Sequence, residues 1–567
     1  MKKYLIILLT FWIIPPFAQI TQKQEVQDKN KTAEFDSGSK ISVELLNKIG
    51  NKKLQQLGMI WGFLKYYHPN IASGKYDWDA ELFKLIPKLS DATPEQLDKI
   101  ITDWIKGFGD FKTQSDTIPE NLKMKADLGW ITASGFSKEL TDTLLKVKNA
   151  ERKNKNHYVS LLADGNPEFT REKPYAAMIS TDAGYRLLSL YRYWNIIQYY
   201  FPYRYAIGHD WKEVLGEFIP KFLSATDGTD YNLACLELTE RINDSHAGIH
   251  NAVTYHFFGE RIIPLEIVFA ENKAVVKNYY DENLGKETGL KIGDVIMEVN
   301  GKPLGKIMED YSRYLPASNV SAKLRNLSFQ LLNSNDMSVE VKYLTDGTEK
   351  TATLKTYLHD RINYTQKPAD AFKMIDEQTA YINLGTVKSK DFHDIFEKIK
   401  NTKALIIDIR TYPAEFNVFK LGKYLMPHPE NFVKFTVPSI ISPGDFIMQE
   451  ALTVGTDNKD FYKGKVAILI NEMTQSSAEY HAMAFRKAPD AKVFGSQTAG
   501  ADGNVSYFTL PGKISTQITG LGVYTPEGSE TQRIGIIPDV EVKPTVKGIK
   551  DNKDEILEKA LEWIHQK

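Results

Sequence analysis

The sequence contains one cysteine, Cys235, among its 567 residues, and it carries almost no net charge. A single cysteine excludes an internal disulfide, and the lack of a C-x-x-C pair excludes a zinc site built from thiolates. The 71 lysine and arginine residues balance 72 aspartate and glutamate residues, so no overall field attracts nucleic acid or an anionic membrane surface. We therefore expect no nucleic-acid partner, and we expect no metal.

Long hydrophobic runs are also scarce, apart from one at the N-terminus. Residues 4–14 are apolar, follow Lys2 and Lys3, and precede a small-residue cleavage site at Ala18. This order is typical of a signal peptide over residues 1–18, and about a dozen apolar residues fall short of the roughly 20 that span a bilayer. The sequence predicts a periplasmic or secreted protein with no integral membrane span after signal removal. Polar residues 19–40 are expected to be a linker.

The spacing of apolar residues divides the remaining chain into segments of different predicted structure. Helical spacing dominates residues 41–250, short strands dominate 251–360, and buried strands alternate with helices over 365–545. An amphipathic helix over 550–567 is expected to pack against the body. The predicted fold class is a multidomain α+β protein with an N-terminal helical repeat domain, a β domain and an α/β core.

The helical domain contains an internal repeat. Nine residues recur at a constant offset of 133, among them Trp61 and Trp78, which return as Trp194 and Trp211. Such an offset indicates two copies of one helical unit, and the aromatic residues are expected to pack a helix pair. Only the second copy ends in a segment that carries chemistry, Asn243-Asp244-Ser245-His246-Ala247-Gly248.

A candidate nucleophile lies in the α/β core. A buried strand at residues 466–470 runs into a short polar loop, and a helix opens at Ser476 and Ser477. Unpaired amides at a helix N-terminus point outward and can stabilise an oxyanion. The same residues form an S-x-x-E capping box with Glu479, so this motif alone also fits a plain helix cap.

Together with its neighbours, this stretch resembles the C-terminal processing (tail-specific) serine proteases and their tricorn-core-like branch. The landmarks follow the family order, and they are Asn471-Glu472 before Ser476, then Gly495, Thr498 and Gly500, then Gly535-Ile536-Ile537-Pro538-Asp539. The resemblance covers roughly residues 235 to 545. It implies a serine-type peptidase that needs no cofactor, acts on protein or peptide substrates, and has a core of crotonase-like ββα topology.

A PDZ domain precedes the core in this family, and Gly289-Leu290-Lys291-Ile292-Gly293-Asp294 resembles part of one. PDZ domains take an extended peptide as an added strand and capture its carboxylate with backbone amides. The resemblance therefore implies substrate binding near Gly289 and Leu290. A purely structural β domain with a blocked groove fits the same residues.

The family activates its serine in two ways. The tail-specific branch uses a lysine 25 positions after the nucleophile, but that position is Ala501 in this chain. The tricorn-like branch uses a histidine that is oriented by the serine before it, and His246 with Ser245 matches that pair. The resemblance implies that His246 is the general base and that Ser245 fixes the tautomer of its ring.

Two family features are altered. The glutamate of the tetrad would stand three residues before Gly535, where this chain has Gln532. Either the missing charge is dispensable or Glu530 supplies it. The oxyanion hole would use the amide of Ser477 and, where the family has a glycine pair, the amide of Ala414.

The sequence thus predicts an exported serine endopeptidase that forms an acyl-enzyme on Ser476. The alternative is a non-catalytic peptide-binding protein, an inactive protease homologue that acts through the PDZ-like domain. The altered glycine pair and the glutamine at position 532 are what favour that alternative.

Overall fold

The computed structural model describes residues 33–115, 119–365 and 368–566. The predicted signal peptide, and the predicted linker up to residue 32, lie outside the described residues. The linker prediction is wrong for residues 33–40, because Phe35 and Ser39 are buried and the Ser39 amide donates to Asp182 at 2.8 Å. Within the described ranges, no helix is long and apolar enough to cross a membrane.

The N-terminal part is mainly helical, as its apolar spacing predicts. Its elements are α1 (Val43–Ile49), α2 (Asn51–Tyr67), α3 (Pro69–Ala72), α4 (Trp78–Leu89), α5 (Pro94–Lys106), β1 (Leu122–Met124), α6 (Trp130–Ala133), α7 (Lys138–Lys148), β2 (Ser160–Leu161), β3 (Pro167–Glu168), α8 (Ala183–Tyr200), α9 (Trp211–Ser224) and α10 (Gly228–Glu240).

The two copies of the repeat pack their tryptophans in the same way. The indole N–H of Trp61 donates to the carbonyl of Trp78 at 3.2 Å, and the indole N–H of Trp78 donates to the carbonyl of Trp61 at 3.0 Å. Trp194 and Trp211 exchange the same two bonds at 2.6 and 3.0 Å. In each copy the two rings stack, so these aromatic residues tie the first helix of the unit to the second.

The second part is a β-rich module. It contains α11 (Ala252–Phe258), β4 (Arg261–Ile262), β5 (Leu265–Ala270), β6 (Lys273–Tyr279), α12 (Glu282–Glu287), β7 (Val295–Val299), β8 (Lys302–Pro303), α13 (Leu304–Ser312), α14 (Val320–Gln330), β9 (Asn333–Ser334), β10 (Ser338–Thr345), β11 (Thr348–Lys355) and β12 (Tyr357–Leu358). Its main antiparallel sheet has the order β11-β10-β7-β6-β5. Strand β5 is therefore an edge strand, and α14 packs beside it.

The third part is the α/β core. Its elements are β13 (Phe372–Asp376), β14 (Thr379–Asn383), α15 (Phe392–Ile399), β15 (Ala404–Asp408), α16 (Val418–Leu425), β16 (Glu430–Pro438), β17 (Phe446–Met448), β18 (Leu452–Val454), β19 (Lys465–Ile470), α17 (Ser477–Phe485), β20 (Ala491–Gly495), β21 (Val505–Leu510), β22 (Ile514–Thr519), β23 (Gly522–Tyr524), β24 (Val540–Glu541), α18 (Val546–Lys550) and α19 (Glu555–His565).

The core sheet has the order β13-β14-β15-β19-β20-β24, and all its pairs except β13 with β14 are parallel. Strand β15 is buried at every residue, as expected for a parallel strand covered on both faces. Helix α19 lays Ile556, Ala560 and Ile564 on one face of the sheet. The loops that follow β15, β19 and β20 meet at one edge of the sheet, where a site can form.

The hairpin of β21 and β22 joins the core to the helical part. Phe508 on β21 packs against Tyr193 of α8, with ring centroids 5.6 Å apart. The end of the helical part runs along β22, where the Gln517 side chain donates to the His246 carbonyl at 2.6 Å. The hairpin therefore carries the Ser245-His246 segment to the edge of the core sheet.

Candidate active site

Ser476 occupies the first turn after β19 in a strained backbone conformation. Its φ is 58° and its ψ is −124°, although an ordinary helix N-cap adopts the extended region. Residues other than glycine rarely hold a positive φ, and such strain concentrates at functional sites. Only 5% of Ser476 is exposed. The local geometry therefore resembles a presented nucleophile more than a plain helix cap.

Glu479 holds the surroundings of Ser476 in place. Its carboxylate accepts from the amides of Ser476 at 3.1 Å, Gly500 at 2.8 Å and Ala501 at 3.1 Å, and from the Thr498 hydroxyl. Burial raises the pKa of Glu479, and these four hydrogen bonds oppose the rise. The glutamate of the S-x-x-E motif thus joins the start of α17 to the loop after β20.

The family landmarks meet at this carboxylate. The Thr498 hydroxyl accepts from the Ile536 amide at 2.7 Å while it donates to Glu479. Gly500 has a φ of +66°, and a Cβ there would lie 2.9 Å from the backbone of Arg533. The three motifs that are separate in sequence therefore form one rigid frame around the nucleophile.

The structure brings Ser245 and His246 to the same place. The Ser245 hydroxyl donates to the Ala499 carbonyl at 3.1 Å, and the Gln475 side chain donates to the Ser245 carbonyl at 3.3 Å. Ser476 itself donates its amide to Ala501 at 2.9 Å, two residues beyond Ala499. Within the part of the chain that the structure describes, Nε2 of His246 is buried and has no hydrogen-bond partner, so no hydrogen bond links it to Ser476.

The partner of the His246 ring differs from the one expected. Nδ1 lies 2.8 Å from the hydroxyl of Thr519, and Ser245 makes its bonds to Ser318 and Ala499 instead. Thr519 in turn donates its hydroxyl to Oδ1 of Asp244 at 2.9 Å and its amide to Oδ2 at 2.7 Å. The expectation that Ser245 fixes the ring is therefore not met in this structure, because its hydroxyl is committed to backbone groups.

Gln532 and Glu530 also make other contacts than expected. Gln532 is buried, and its side-chain amide lies 3.3 Å from both Asp244 Oδ1 and the Ser318 hydroxyl, while its Oε1 has no partner in the described residues. Glu530 pairs with Lys123 at 2.9 Å and accepts from the Tyr205 hydroxyl at 3.1 Å. Glu530 therefore does not replace the missing tetrad glutamate, since its charge is neutralised elsewhere.

The expected oxyanion donors are not both available. The Ala414 amide donates to the Leu384 carbonyl at 2.9 Å, so it has no hydrogen left for a substrate in this conformation. The side chains of Ser476 and Ser477 and the Ser477 backbone amide interact with the Tyr412 hydroxyl and lower its pKa. Burial nevertheless raises the pKa of Tyr412 to about 12. The tyrosine hydroxyl thus lies beside the amide that was expected to bind the substrate carbonyl.

The predicted substrate-binding residues, Gly289 and Leu290, already make hydrogen bonds within the protein. The Gly289 amide donates to the Lys286 carbonyl at 3.1 Å, and the Leu290 amide donates to the Thr288 hydroxyl at 3.2 Å. The Leu290 side chain is also buried. The two amides are therefore not free to capture a carboxylate here. Arg410 pairs with Asp408 at 2.6 Å and with Asp554 at 2.7 Å, and these ion pairs tie α19 to the sheet.

The electrostatic surroundings of His246 suit a neutral base. Burial lowers the pKa of His246, the nearby Arg325 guanidinium lowers it further, and the Asp244 carboxylate opposes both effects. A ring with a lowered pKa is unprotonated at neutral pH, which is the form that can accept a proton from a hydroxyl.

Three contributors were missed by sequence reasoning. They are Asp244, Thr519 and Tyr412. Asp244 stands directly before Ser245, so its position was a usable signal, and Tyr412 stands two residues before Ala414, whose amide was a predicted oxyanion donor. Thr519 carries no local signal, because its contact with His246 spans 273 residues.

His481 should make the protein lose stability in mild acid. Its Nε2 accepts the Asn417 amide at 3.0 Å, and burial lowers its pKa to about 4. Between about pH 6.5 and 4 the unfolded chain binds more protons than the folded one, so stability falls as pH decreases, by up to about 3 kcal/mol from this group. Between pH 7 and pH 4, the melting temperature should fall less in His481→Gln than in the wild type. Equal slopes would contradict this assignment.

Comparisons with known proteins agree with this geometry. Residues 437–542, which include Ser476 and Gln532, match the model of peptidase family S41. No curated protein matches the sequence. The structure of mature CPAF complexed with lactacystin is similar over 67% of this chain and 98% of its own, with 14% identity and a TM-score of 0.52. That likeness concerns the fold.

Two further solved structures are similar at lower scores. The photosystem II D1 C-terminal processing protease matches 63% of this chain and 92% of its own, with 17% identity and a TM-score of 0.38. The tricorn protease matches 74% of this chain and 42% of its own, with 14% identity and a TM-score of 0.33. The matched segment, residues 437–542, is therefore a domain of peptidase family S41, and the fold of the chain is similar to that of CPAF.

Proposed function

We propose that this protein is an exported serine endopeptidase in which Ser476 forms an acyl-enzyme and His246 acts as general base. The observation that carries the proposal is the strained, buried Ser476 at the start of α17, on a frame that also holds the His246 segment. A serine hydroxyl is a poor nucleophile until a base removes its proton, and the unpartnered Nε2 of His246 is the group suited to that step.

The reaction would proceed in two stages. His246 accepts the Ser476 proton as the hydroxyl attacks the scissile carbonyl, and the protonated ring then donates to the leaving amine. Water attacks the acyl-enzyme with His246 again as the base. The Tyr412 hydroxyl has to leave the Ser477 amide before a carbonyl oxygen can bind there, so substrate entry includes a movement of this side chain.

The β-rich module is proposed to bind peptide as a PDZ-like domain. A cavity of about 240 Å³ lies beside helix α14 at the start of edge strand β5, and it is lined by Leu265, Ser328, Phe329 and Leu332 among others. An edge strand offers unpaired backbone groups to an added strand, and an apolar cavity beside it can take a side chain. This groove replaces Gly289 and Leu290 as the proposed peptide site.

A fluorophosphonate probe tests the catalytic proposal. It reacts covalently only with a serine that a base activates, so we expect stoichiometric labelling of the wild type and a labelled peptide that maps to Ser476. Ser477→Ala is the matched control, because it removes the neighbouring hydroxyl and keeps the amide. Absence of labelling in folded wild type, or labelling at another serine, would sink the proposal.

The rival function is peptide binding without hydrolysis. It is favoured by the Ala414 amide, which is already bonded, and by the Tyr412 hydroxyl at the Ser477 amide. An inert binder would bind peptide, detected by calorimetry, but would neither react with the probe nor cut casein. Loss of binding in Phe329→Asp would then assign its activity to the β5–α14 groove.

A further inference from the structure

We propose that Asp244 and Thr519, and not Ser245 and Gln532, position His246 and supply the negative charge that stabilises its protonated form. The inference rests on the proposed peptidase function. It concerns two positioning residues, since neither reaches the substrate: Thr519 contacts the ring, and Asp244 acts through Thr519.

The hydrogen bonds determine which way the ring is protonated. Asp244 is fully buried and accepts the His246 amide at 3.0 Å, the Thr519 amide at 2.7 Å and the Gln532 side-chain amide at 3.3 Å. These three groups can only donate, so Asp244 is surrounded by donors and is best satisfied as a carboxylate. The Thr519 hydroxyl must then donate its one hydrogen to Asp244.

It follows that Thr519 can only accept from His246. Nδ1 therefore carries the hydrogen in the 2.8 Å contact with the Thr519 hydroxyl, and Nε2 is left unprotonated. This is the tautomer that a general base acting through Nε2 needs. Thr519 and Asp244 together select it without any contribution from Ser245.

The same network accounts for glutamine at position 532. A glutamate there would place a second carboxylate next to Oδ1 of Asp244, which Gln532 contacts at 3.3 Å, and would remove a donor. Two carboxylates this close cannot both ionise without cost. Asp244 lies 4.0 Å from Nδ1 of His246, near enough to stabilise the charged ring.

The other groups around the ring do not replace this charge. The charge of Arg325 on α14 lowers the pKa of His246, whereas Asp244 raises it. The Arg325 guanidinium donates to the Glu472 carbonyl at 2.9 Å. Burial and the charge of Asp244 both raise the pKa of Tyr193 on α8, so the Tyr193 hydroxyl stays neutral. Among the described residues, Asp244 is therefore the carboxylate whose charge raises the pKa of this imidazole.

Kinetics of four variants test the proposal. We expect Asp244→Asn and Thr519→Val to lower kcat about 10- to 100-fold with KM changed less than about threefold, because they affect the base and not the binding of substrate. Thr519→Ser should recover most of the activity. The acid limb of the pH profile should move to lower pH in Asp244→Asn, because the ring loses its anion. Thr516→Val is the matched control, since the Thr516 hydroxyl donates to the Gly248 carbonyl at 3.0 Å.

Moving the charge distinguishes this network from the family arrangement. Gln532→Glu alone should lower kcat at least about tenfold. The double variant with Asp244→Asn and Gln532→Glu should have a higher kcat than Asp244→Asn alone. A rise in activity in Gln532→Glu would overturn the proposal, because it would show that position 532 lacks a needed carboxylate.

A readout without turnover separates this inference from the proposed function. Long-range proton–nitrogen NMR of histidine-labelled Ser476→Ala should show His246 as the Nδ1-protonated tautomer, with the signal assigned by its loss in His246→Gln. Thr519→Val should shift that population toward Nε2 protonation. An Nε2-protonated ring in the parent would refute the network even if the enzyme is active, whereas failed probe labelling with the expected tautomer would refute only the peptidase.

Discussion

Replacement of Ser476 by alanine should lower kcat for peptide hydrolysis by about 10⁴-fold or more while leaving peptide binding intact. The acyl-enzyme cannot form without the hydroxyl, and the remaining groups can only bind and polarise the substrate. The measurement is hydrolysis of casein or a fluorogenic peptide library, with binding followed separately by calorimetry. Retained hydrolysis in this variant would exclude Ser476 as the nucleophile.

Ser476→Gly is an informative companion to Ser476→Ala. Both variants lack the hydroxyl, so both should be inactive. They should differ in stability, because glycine tolerates the φ of 58° that strains alanine, and the glycine variant should be more stable by about 1 kcal/mol. Equal melting temperatures would indicate that the backbone relaxes at this position.

Replacement of His246 by glutamine should lower kcat by about 10³-fold or more at neutral pH. General-base catalysis contributes about 10² to 10⁴ in such reactions, and the role of the same ring as acid in leaving-group departure adds to the loss. In the wild type, kcat/KM should rise with pH to a plateau, with a midpoint below 6.5, because burial lowers the pKa of His246. The variant should lack this titration.

The pH profile of the wild type also tests the identity of the base. A midpoint near pH 10 would indicate a lysine, but position 501, where the tail-specific branch has one, is alanine and only its carbonyl bonds Ser476, at 2.9 Å. His481 provides a control for an indirect effect, since its Nε2 is occupied by the Asn417 amide. We expect His481→Gln to change stability more than kcat.

Much of the core could be predicted because its signals are local. The strands that become β14, β15, β19 and β20 are short apolar runs, and the turn from β19 into α17 is marked by polar residues and two serines. The repeat also needed only the sequence, since matched tryptophans at a constant offset make the same hydrogen bonds in both copies. Such features depend on neighbours in the chain.

The errors share a different cause. Ser245 was expected to hold the imidazole and Ala414 to donate to an oxyanion, yet each is bonded to backbone groups that the fold brings near them. Glu530 was a plausible substitute by position, and Lys123, 407 residues away in sequence, neutralises it. Hydrogen-bond partners at such separations are set by the packing of whole domains.

The sequence by itself determined the chemical groups available to this protein: a serine at the mouth of a helix, a histidine after a serine in the helical part, and no lysine at position 501. The tertiary structure alone decided how these groups are used. It placed Thr519 and Asp244 beside the ring and Tyr412 at the Ser477 amide. The physical reason is that hydrogen bonds are satisfied through space, and a buried donor takes whichever acceptor the fold brings within about 3 Å of it.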